Sequence, residues 1–408
     1  MEEHQTARLD LAELLAGVEN ASPVAAADVL GERLSDVLGA SEVSFLVVEF
    51  SGHTLRRLEG AGVDPAARDK RSQAGDRVSL EDSPHGRALT NQRVEVESDA
   101  DGTRVFAPVT NRGEAIGVLE LRLPEAPDEQ ALADVALAAH ALAYVIIANR
   151  RFTDLFEWGQ RSVPLSLAAE IQHRLLPDSY TCEAGQFTLA AWLEPSGDIA
   201  GDTFDFALGR DTLHLSMTDA MGHAVNAAVL ATVLVGALRN GRRAGAELAA
   251  QARLANEGLG DQAGWGQFVT GVVACIDLHA ESATIVNAGH PPPLRLRDGH
   301  VEPVVVEADP PFGTVPDYEY RVQPLPLRPG DRLMFLTDGM TERNAATVDI
   351  PALVAASADM HPREAVQHLT RAVLDATDGD LKDDATVMCL DWHGGRPRKR
   401  STDAGAND

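Results

Sequence analysis

The chain has 408 residues, 44% of them hydrophobic, and 62 Asp plus Glu outweigh 35 Lys plus Arg to give a net charge of −27. Such a length can build two domains with real cores, while the acidity argues against a nucleic-acid surface, which needs a basic stripe, and against adhesion to an anionic membrane. The three cysteines, Cys182, Cys275 and Cys389, are odd in number and far apart, so neither a disulfide framework nor a CxxC site is expected. The opening MEEHQTARLD is too polar and acidic for a signal peptide. The apolar run Ala224–Leu238 is short for a bilayer and holds Asn226 and Thr232, so the expectation is a soluble, cytoplasmic protein.

In chain order, residues 1–20 can form a short helix through Leu9, Leu11, Leu14, Leu15 and Val18. Ser22 and Pro23 supply an N-cap and a first helical residue, and Gly39 a C-terminal cap, for a helix ending near Leu38. Its apolar stripe is Val24, Ala27, Leu30, Leu34 and Val37. SEVSFLVVEF (41–50) and Leu55–Leu58 read as strands, SPHGRALTNQ (83–92) as a short helix, and RVEVES (93–98) as a strand. Residues 103–124 read as two strands around a turn at Asn111–Gly113, and 127–156 as one long helix. In the following segment, Leu167, Ile171 and Leu175 share one helical face, and Gly159 and Pro164 interrupt the rod and suggest a hinge. His53, His85 and His140 are lone histidines, read as surface or core residues rather than haem ligands.

The stretch Ser196–His223, SGDIAGDTFDFALGRDTLHLSMTDAMGH, organises the rest. Alternation in LHLSM marks a strand, with Leu213, Leu215 and Met217 on one face and His214 and Ser216 on the other. Phe204–Leu208 and Leu213–Met217 then form a hairpin around Gly209, Arg210 and Asp211, which brings Asp202 and Asp219 to the same sheet end. Two adjacent carboxylates repel unless a cation sits between them, and Mg²⁺ or Mn²⁺ suits oxygen ligands. LMFLTDGMTE (333–342) and KDDAT (382–386) each place further carboxylates, Asp338 and Asp383, at strand ends. Phe187–Leu193, Phe268–Asp277, Leu294–Arg297 with Val301–Val306, and VMCLDW read as strands. Residues 224–240, Glu247–Gly258, Pro351–Ser357 and Pro362–Ala376 read as helices, the first apolar nearly all round and so buried.

This ordered set (AGD at 200–202 with Phe204 and Asp205, TDAMGHA at 218–224, NAGHPPP at 287–293, LTDGMTE at 336–342, DDAT at 383–386) resembles the metal-dependent PPM (protein phosphatase 2C-like) Ser/Thr phosphatases, in particular the SpoIIE/RsbU branch, over roughly Ser166 to Trp392. SPHGRALTNQ and RVFAPVTNRGEAIGVLEL resemble a GAF sensory domain. The fold class implied is α/β of the α+β kind: a GAF-like antiparallel sheet domain followed by an α-β-β-α sandwich. The expected boundaries are an N-terminal segment at 1–20, a GAF-like domain at 21–150, a helical linker at 151–176, a phosphatase domain at 177–394 and a tail at 395–408 whose RPRKR is a solvated end.

The resemblance implies two divalent cations, Mn²⁺ or Mg²⁺, and hydrolysis of phosphoserine or phosphothreonine by water without a covalent intermediate. It implies that Asp219 bridges both metals, that the Ala220 carbonyl adds an oxygen, that Asp338 and Asp383 complete the set, and that Asp202 binds or orders metal waters. Asp384 aligns the loop or a water, Asp205 reads as second shell or, preferably, plain surface, and His223 as either a proton donor or a helix cap. His290 reads as structural, Glu342 as holding a loop, and Ser216 lacks the partners of a nucleophile. Ala220 replaces a family glycine, and Ile199 and Ala200 stand where eukaryotic members carry a phosphate-gripping arginine. The implied partners are a phosphorylated STAS-domain anti-anti-sigma protein, a small-molecule ligand of the GAF-like domain, and a second copy in a homodimer, with no nucleic acid and no membrane. The alternative is a non-catalytic sensor or scaffold that keeps only the fold.

Overall fold

The structure, a computed structural model, describes residues 9–50, 52–58, 74–161, 165–196, 201–222, 224–262, 266–280, 282–341 and 343–395. The chain divides into two units, one ending at Pro164 and the other beginning at Leu165.

In the first unit, α1 (Leu11–Asn20) starts where Asp10 accepts the N–H groups of Ala12 and Glu13. A 3-10 turn over Pro23–Ala25 leads into α2 (Ala26–Leu38), closed by Gly39 at φ 66°. Then come β1 (Ser41–Val48), β2 (Thr54–Leu58), β3 (Ala74–Ser79), α3 (Pro84–Asn91), β4 (Glu95–Asp99), β5 (Gly102–Asn111), β6 (Glu114–Leu123), α4 (Glu129–Asn149) and α5 (Leu155–Gln160). The strands form one antiparallel sheet in the order β3-β2-β1-β6-β5-β4. Leu30 and Leu34 of α2 and Leu142 of α4 pack with Phe45, Leu119 and Leu121 on one face. Ala88 and Leu89 of α3 pack with Leu46, Leu55, Phe106 and Val118 on the other.

Three expectations change here. The helix over 127–156 breaks after Asn149: a 3-10 turn follows, Thr153 is extended, and α5 turns back onto β1 and β2. Gly159 is no hinge. A Cβ there would lie 2.5 Å from Val47 and 2.7 Å from Leu58, so glycine lets α5 pack close to the sheet. Val24 is exposed, and the buried stripe of α2 is Ala26, Leu30, Gly31 and Leu34. Pro164 lies outside the described residues.

The second unit runs α6 (Leu167–Leu175), β7 (Thr181–Glu183), β8 (Phe187–Glu194), β9 (Asp202–Leu208), β10 (Thr212–Ala220), α7 (Ala224–Arg243), α8 (Leu248–Gln262), β11 (Val269–Asp277) and β12 (Ala283–Ala288). It continues with β13 (Leu294–Arg297), β14 (His300–Pro303), β15 (Gln323–Pro324), β16 (Arg332–Leu336), α9 (Ile350–Ala356), α10 (Pro362–Ala376) and β17 (Ala385–Trp392). One sheet has the order β15-β12-β11-β10-β9 and the other β14-β13-β16-β17-β8-β7. The inner faces meet around Phe187, Leu213, Leu215, Met217, Phe335 and Trp392. Helices α7 and α8 cover the outside of the first sheet, and α9 and α10 the outside of the second. The result is an α-β-β-α sandwich.

Leu167 is exposed, and α6 instead buries Ala168, Ala169 and Gln172, with Ala168 against Ala228 of α7. Nor is α7 buried all round, since Val225 and Val229 face outward. By length and composition, α7 and the helix Glu129–Phe152 could each cross a membrane, contrary to the reading of Ala224–Leu238 as too short. Their apolar windows are 44% and 50% buried inside the protein.

Candidate metal centre

The register of β9 and β10 pairs Asp202 directly with Asp219, so the two carboxylates project on one face at one end of the sheet. In the other sheet, Leu336 of β16 pairs with Val387 of β17, which sets Thr337–Asp338 beside Asp383–Asp384. Thr337 Oγ1 and Thr386 Oγ1 both donate to Asp202 Oδ2, at 2.7 and 2.6 Å, and join the two sheets at this end. Asp202 is 2% exposed.

Asp384 is also buried. It accepts from Ser196 N at 2.9 Å, Gly201 N at 3.3 Å and Gln172 Nε2 at 2.6 Å, and so pins both described ends of the β8–β9 connection. Gln172 Nε2 also donates to the Asp202 carbonyl at 2.8 Å. Asp219, Asp338 and Asp383 are half-buried; Asp219 is the cross-strand partner of Asp202, Asp338 follows Thr337 and Asp383 precedes Asp384. Two glycines allow the backbones to close up. A Cβ on Gly339 would sit 2.0 Å from the Asp384 carbonyl oxygen, and one on Gly201 would sit 2.6 Å from the Ala220 carbonyl oxygen and 3.4 Å from Asp219 Oδ1.

Ala220 is the last residue of β10, paired with Val269, and its N–H donates to the Gly201 carbonyl at 3.1 Å. Its φ is not positive, so alanine meets no strain at the position where the resemblance implies glycine. The left-handed conformation falls instead on Gly222, at φ 114°.

Burial, and then the Asp219 and Asp384 carboxylates, push Asp202 well above the usual carboxylate range, against the Thr386 and Thr337 hydrogen bonds. Burial raises Asp384 as well, with Asp383 adding to the effect. Acidic side chains crowded in this way are what a cation would relieve, and the all-oxygen donor set suits a hard divalent ion. Among the described residues, no group of three or more carboxylate, imidazole or thiol side chains is placed to hold a metal ion. What speaks for a divalent ion is the pairing of Asp202 with Asp219, which sets two carboxylates of the oxygen type such an ion takes side by side.

Asp205 departs from the plain surface reading. It is 4% exposed and accepts from Arg239 Nε and Nη2, at 3.1 and 2.9 Å, and from Arg242 Nη1 at 3.0 Å. It lies three residues from Asp202 along β9, on the opposite face, where it holds α7. Ser216 is its cross-strand partner. His290 is buried, bonded through Nδ1 to Thr270 Oγ1 at 3.0 Å, and Thr270 is the cross-strand partner of Asp219. Burial lowers the His290 pKa to about 4, so the ring is neutral near pH 7. His223, Glu342, Ile199 and Ala200 lie outside the described residues.

Sequence reasoning did not single out Thr337, Thr386, Gln172 or Glu194. The threonines stand inside LTDG and DDAT, one residue from an acid or two, so the motifs contained them unnoticed. Gln172 carries no signal of its own. Glu194 ends β8 opposite Ala385, and burial pushes it up to about 7, partly offset by the Trp192 indole.

Residues 209–393, somewhat under half of the chain, match the family model described as Stage II sporulation protein E (SpoIIE). Over that range the C-terminal unit is similar to the SpoIIE family. The matched range holds Asp219, Ala220, Asp338, Asp383 and Asp384, while Asp202 and Asp205 precede it. Protein IcfG of Synechocystis sp. is 24% identical over 217 residues, covering 46% of this chain and 34% of IcfG. Phosphoserine phosphatase RsbU of Bacillus subtilis is 22% identical over 232 residues, covering 55% of this chain and 69% of RsbU. The match thus spans about a third of IcfG and about two thirds of RsbU. Among solved structures, the RsbU and RsbW domains of Rv1364c from Mycobacterium tuberculosis are 25% identical with a TM-score of 0.46, covering 54% of this chain and 63% of that one.

Proposed function

We propose that the C-terminal unit is a metal-dependent protein phosphatase that hydrolyses phosphoserine and phosphothreonine with two divalent cations, Mn²⁺ or Mg²⁺. One observation carries this reading: acids from three separate stretches meet at one end of the sandwich around the buried, strongly raised Asp202. Asp219, Asp338, Asp383 and the Ala220 carbonyl would hold the cations, with Asp202 behind them. When bound, the cations supply an activated water and positive charge against the phosphoryl oxygens. The chain's own work is positioning. Thr337 and Thr386 fix one Asp202 oxygen, Asp384 and Gln172 hold the entry to β9, and Gly201 and Gly339 leave room for the close approach.

The substrate in this reading is a phosphorylated STAS-domain anti-anti-sigma protein in a partner-switching pathway, in keeping with the likeness to a phosphoserine phosphatase, RsbU. The N-terminal unit is a GAF-like sensory domain that binds a small molecule and regulates the phosphatase. Its antiparallel sheet with helices on both faces supports that assignment. The protein acts in the cytoplasm as a homodimer.

The test is hydrolysis of p-nitrophenyl phosphate with and without Mn²⁺. The wild type is expected to turn over only with metal, and Asp219→Asn to lose at least about 100-fold in kcat, the scale of removing a key electrostatic group. No turnover in either protein would favour the non-catalytic scaffold, and equal rates in both would rule out Asp219 as a cation ligand.

A further inference from the structure

We infer that the groove between α2 and α5 in the N-terminal unit is a binding site for a linear polyamine, whose ammonium groups pair with Asp28, Glu32 and Asp36 while its methylenes lie on an apolar floor. This deepens, and rests on, the reading of that unit as a small-molecule sensor.

Helices α2 and α5 pack on the same face of the first sheet. Between them lies a cavity of about 400 Å³, within the range of small-molecule sites. Phe45 of β1, Leu58 of β2 and Leu119 of β6 make its floor, and Phe156 of α5 closes one side. The opposite wall is a face of α2 that carries Asp28, Glu32 and Asp36 at four-residue steps. A helix rises 1.5 Å per residue, so these acids stand in a row about 6 Å apart.

The row is unfavourable by itself. Like charges four residues apart weaken a helix. Asp36 also stands in the last turn, where the helix dipole favours a cation and where no base is present. The only base of α2, Arg33, pairs with Glu13 of α1 instead. Among the described residues, exposed Glu32 and Asp36 have no ion-pair partner. A cation in the groove relieves these repulsions.

Spacing and floor together choose the cation. Acids about 6 Å apart along a helix do not converge on one metal ion, whose oxygen ligands lie about 2.0–2.6 Å from it. Nor is any group of three acids, imidazoles or thiols among the described residues placed to hold one. Ammonium groups separated by three or four methylenes lie about 5–6 Å apart in an extended chain, which is the step of the row. The methylenes between them bury apolar surface against Phe45, Leu58 and Leu119, as the stems of long cationic side chains do. A hydrated inorganic cation would leave that floor wet, and a monoamine would answer only one acid.

The experiment is calorimetric titration of the full chain with spermidine at physiological ionic strength. Wild type is compared with Glu32→Gln/Asp36→Asn and with Glu125→Gln/Glu129→Gln, an equal charge change at exposed acids outside the groove. Wild type and the second variant are expected to bind one spermidine with the same dissociation constant. Glu32→Gln/Asp36→Asn is expected to bind about 10-fold more weakly, since each exposed ion pair is worth a few-fold. No binding by wild type, several weak sites, or equal losses in both variants would overturn the proposal, the last two as general attraction to an acidic chain. So would unaltered affinity in Ser35→Trp, which fills the groove from an exposed position without a charge change. Binding of tetra-arginine but not spermidine would overturn it too, by giving the groove to a basic protein segment. Hydrolysis of p-nitrophenyl phosphate with Mn²⁺ is measured with and without spermidine. Binding at the groove with the rate unchanged would support this site and sink regulation through it. A rate change together with unaltered binding in Glu32→Gln/Asp36→Asn would place the ligand elsewhere, overturning this site but not the sensor reading.

Discussion

Replacing Asp205 by Asn separates a surface carboxylate from a buried anchor. Its oxygens accept three guanidinium bonds at 2.9–3.1 Å, two from Arg239 and one from Arg242, and Arg239 Nη2 also reaches the Leu175 carbonyl at 2.6 Å. One carboxylate therefore ties β9 to α7 and, through Arg239, to the end of α6. Breaking a buried pair by removing one partner costs about 3–5 kcal/mol. The arginine side chains remain 23% and 17% exposed and recover some hydration, so about 2–4 kcal/mol is expected here. The assay is urea unfolding of metal-free protein at pH 7.5, followed by tryptophan fluorescence, since fully buried Trp392 reports on the C-terminal unit. The midpoint should fall with the slope unchanged. A loss under about 0.5 kcal/mol, the range of an ordinary surface substitution, would refute the anchoring role.

Glu194 supplies a pH prediction. Its folded pKa, about 7, lies above its ordinary 4.5, so the folded state holds the extra proton between those values. Its contribution is intact below 4.5 and lost as pH rises through 7, by at most about 3 kcal/mol, less for what solvent screens. Urea midpoints with chelator present should show Glu194→Gln more stable than wild type at pH 8 and nearly equal at pH 5; the opposite order would refute the burial argument. Gly339→Ala must push the 338–340 turn away from Asp384, whose carbonyl oxygen would lie 2.0 Å from the new Cβ. A loss of about 2 kcal/mol or more is expected, as for other strained backbone sites, along with weakened Mn²⁺ binding. Gly236→Ala, which meets nothing within 4 Å on α7, should instead be neutral or stabilising by up to about 1 kcal/mol. Similar losses from both alanines would undo the steric reading.

The elements carrying the acids were legible because local chemistry fixes them. Alternation in LHLSM and the turn at Gly209–Asp211 set a hairpin whose register follows from the turn, so Asp202 and Asp219 came together by counting. That Thr337, Thr386 and Asp384 meet Asp202 left no local pattern, since no periodicity in β16 or β17 says which sheet end faces which. Asp205 was misread because its partners stand more than 30 residues away on α7, and long-range ion pairs leave no local pattern. The break after Asn149 was missed although Thr153 and Asp154, weak helix formers that favour helix starts, stand within residues 150–156. What turns the chain is the packing of Phe156 and Gly159 on the first sheet. Gln172 sits on a helix read correctly as a helix, but its stripe was assigned one residue out of phase, to exposed Leu167 rather than Ala168.

The most direct measurement of whether the acidic end is a divalent-cation centre is calorimetric titration of the full-length, metal-free chain with Mn²⁺, wild type against Asp219→Asn. Two bound ions per chain are predicted for the wild type, with Asp219→Asn losing at least one and binding the other more weakly. Identical isotherms for the two proteins would contradict the account.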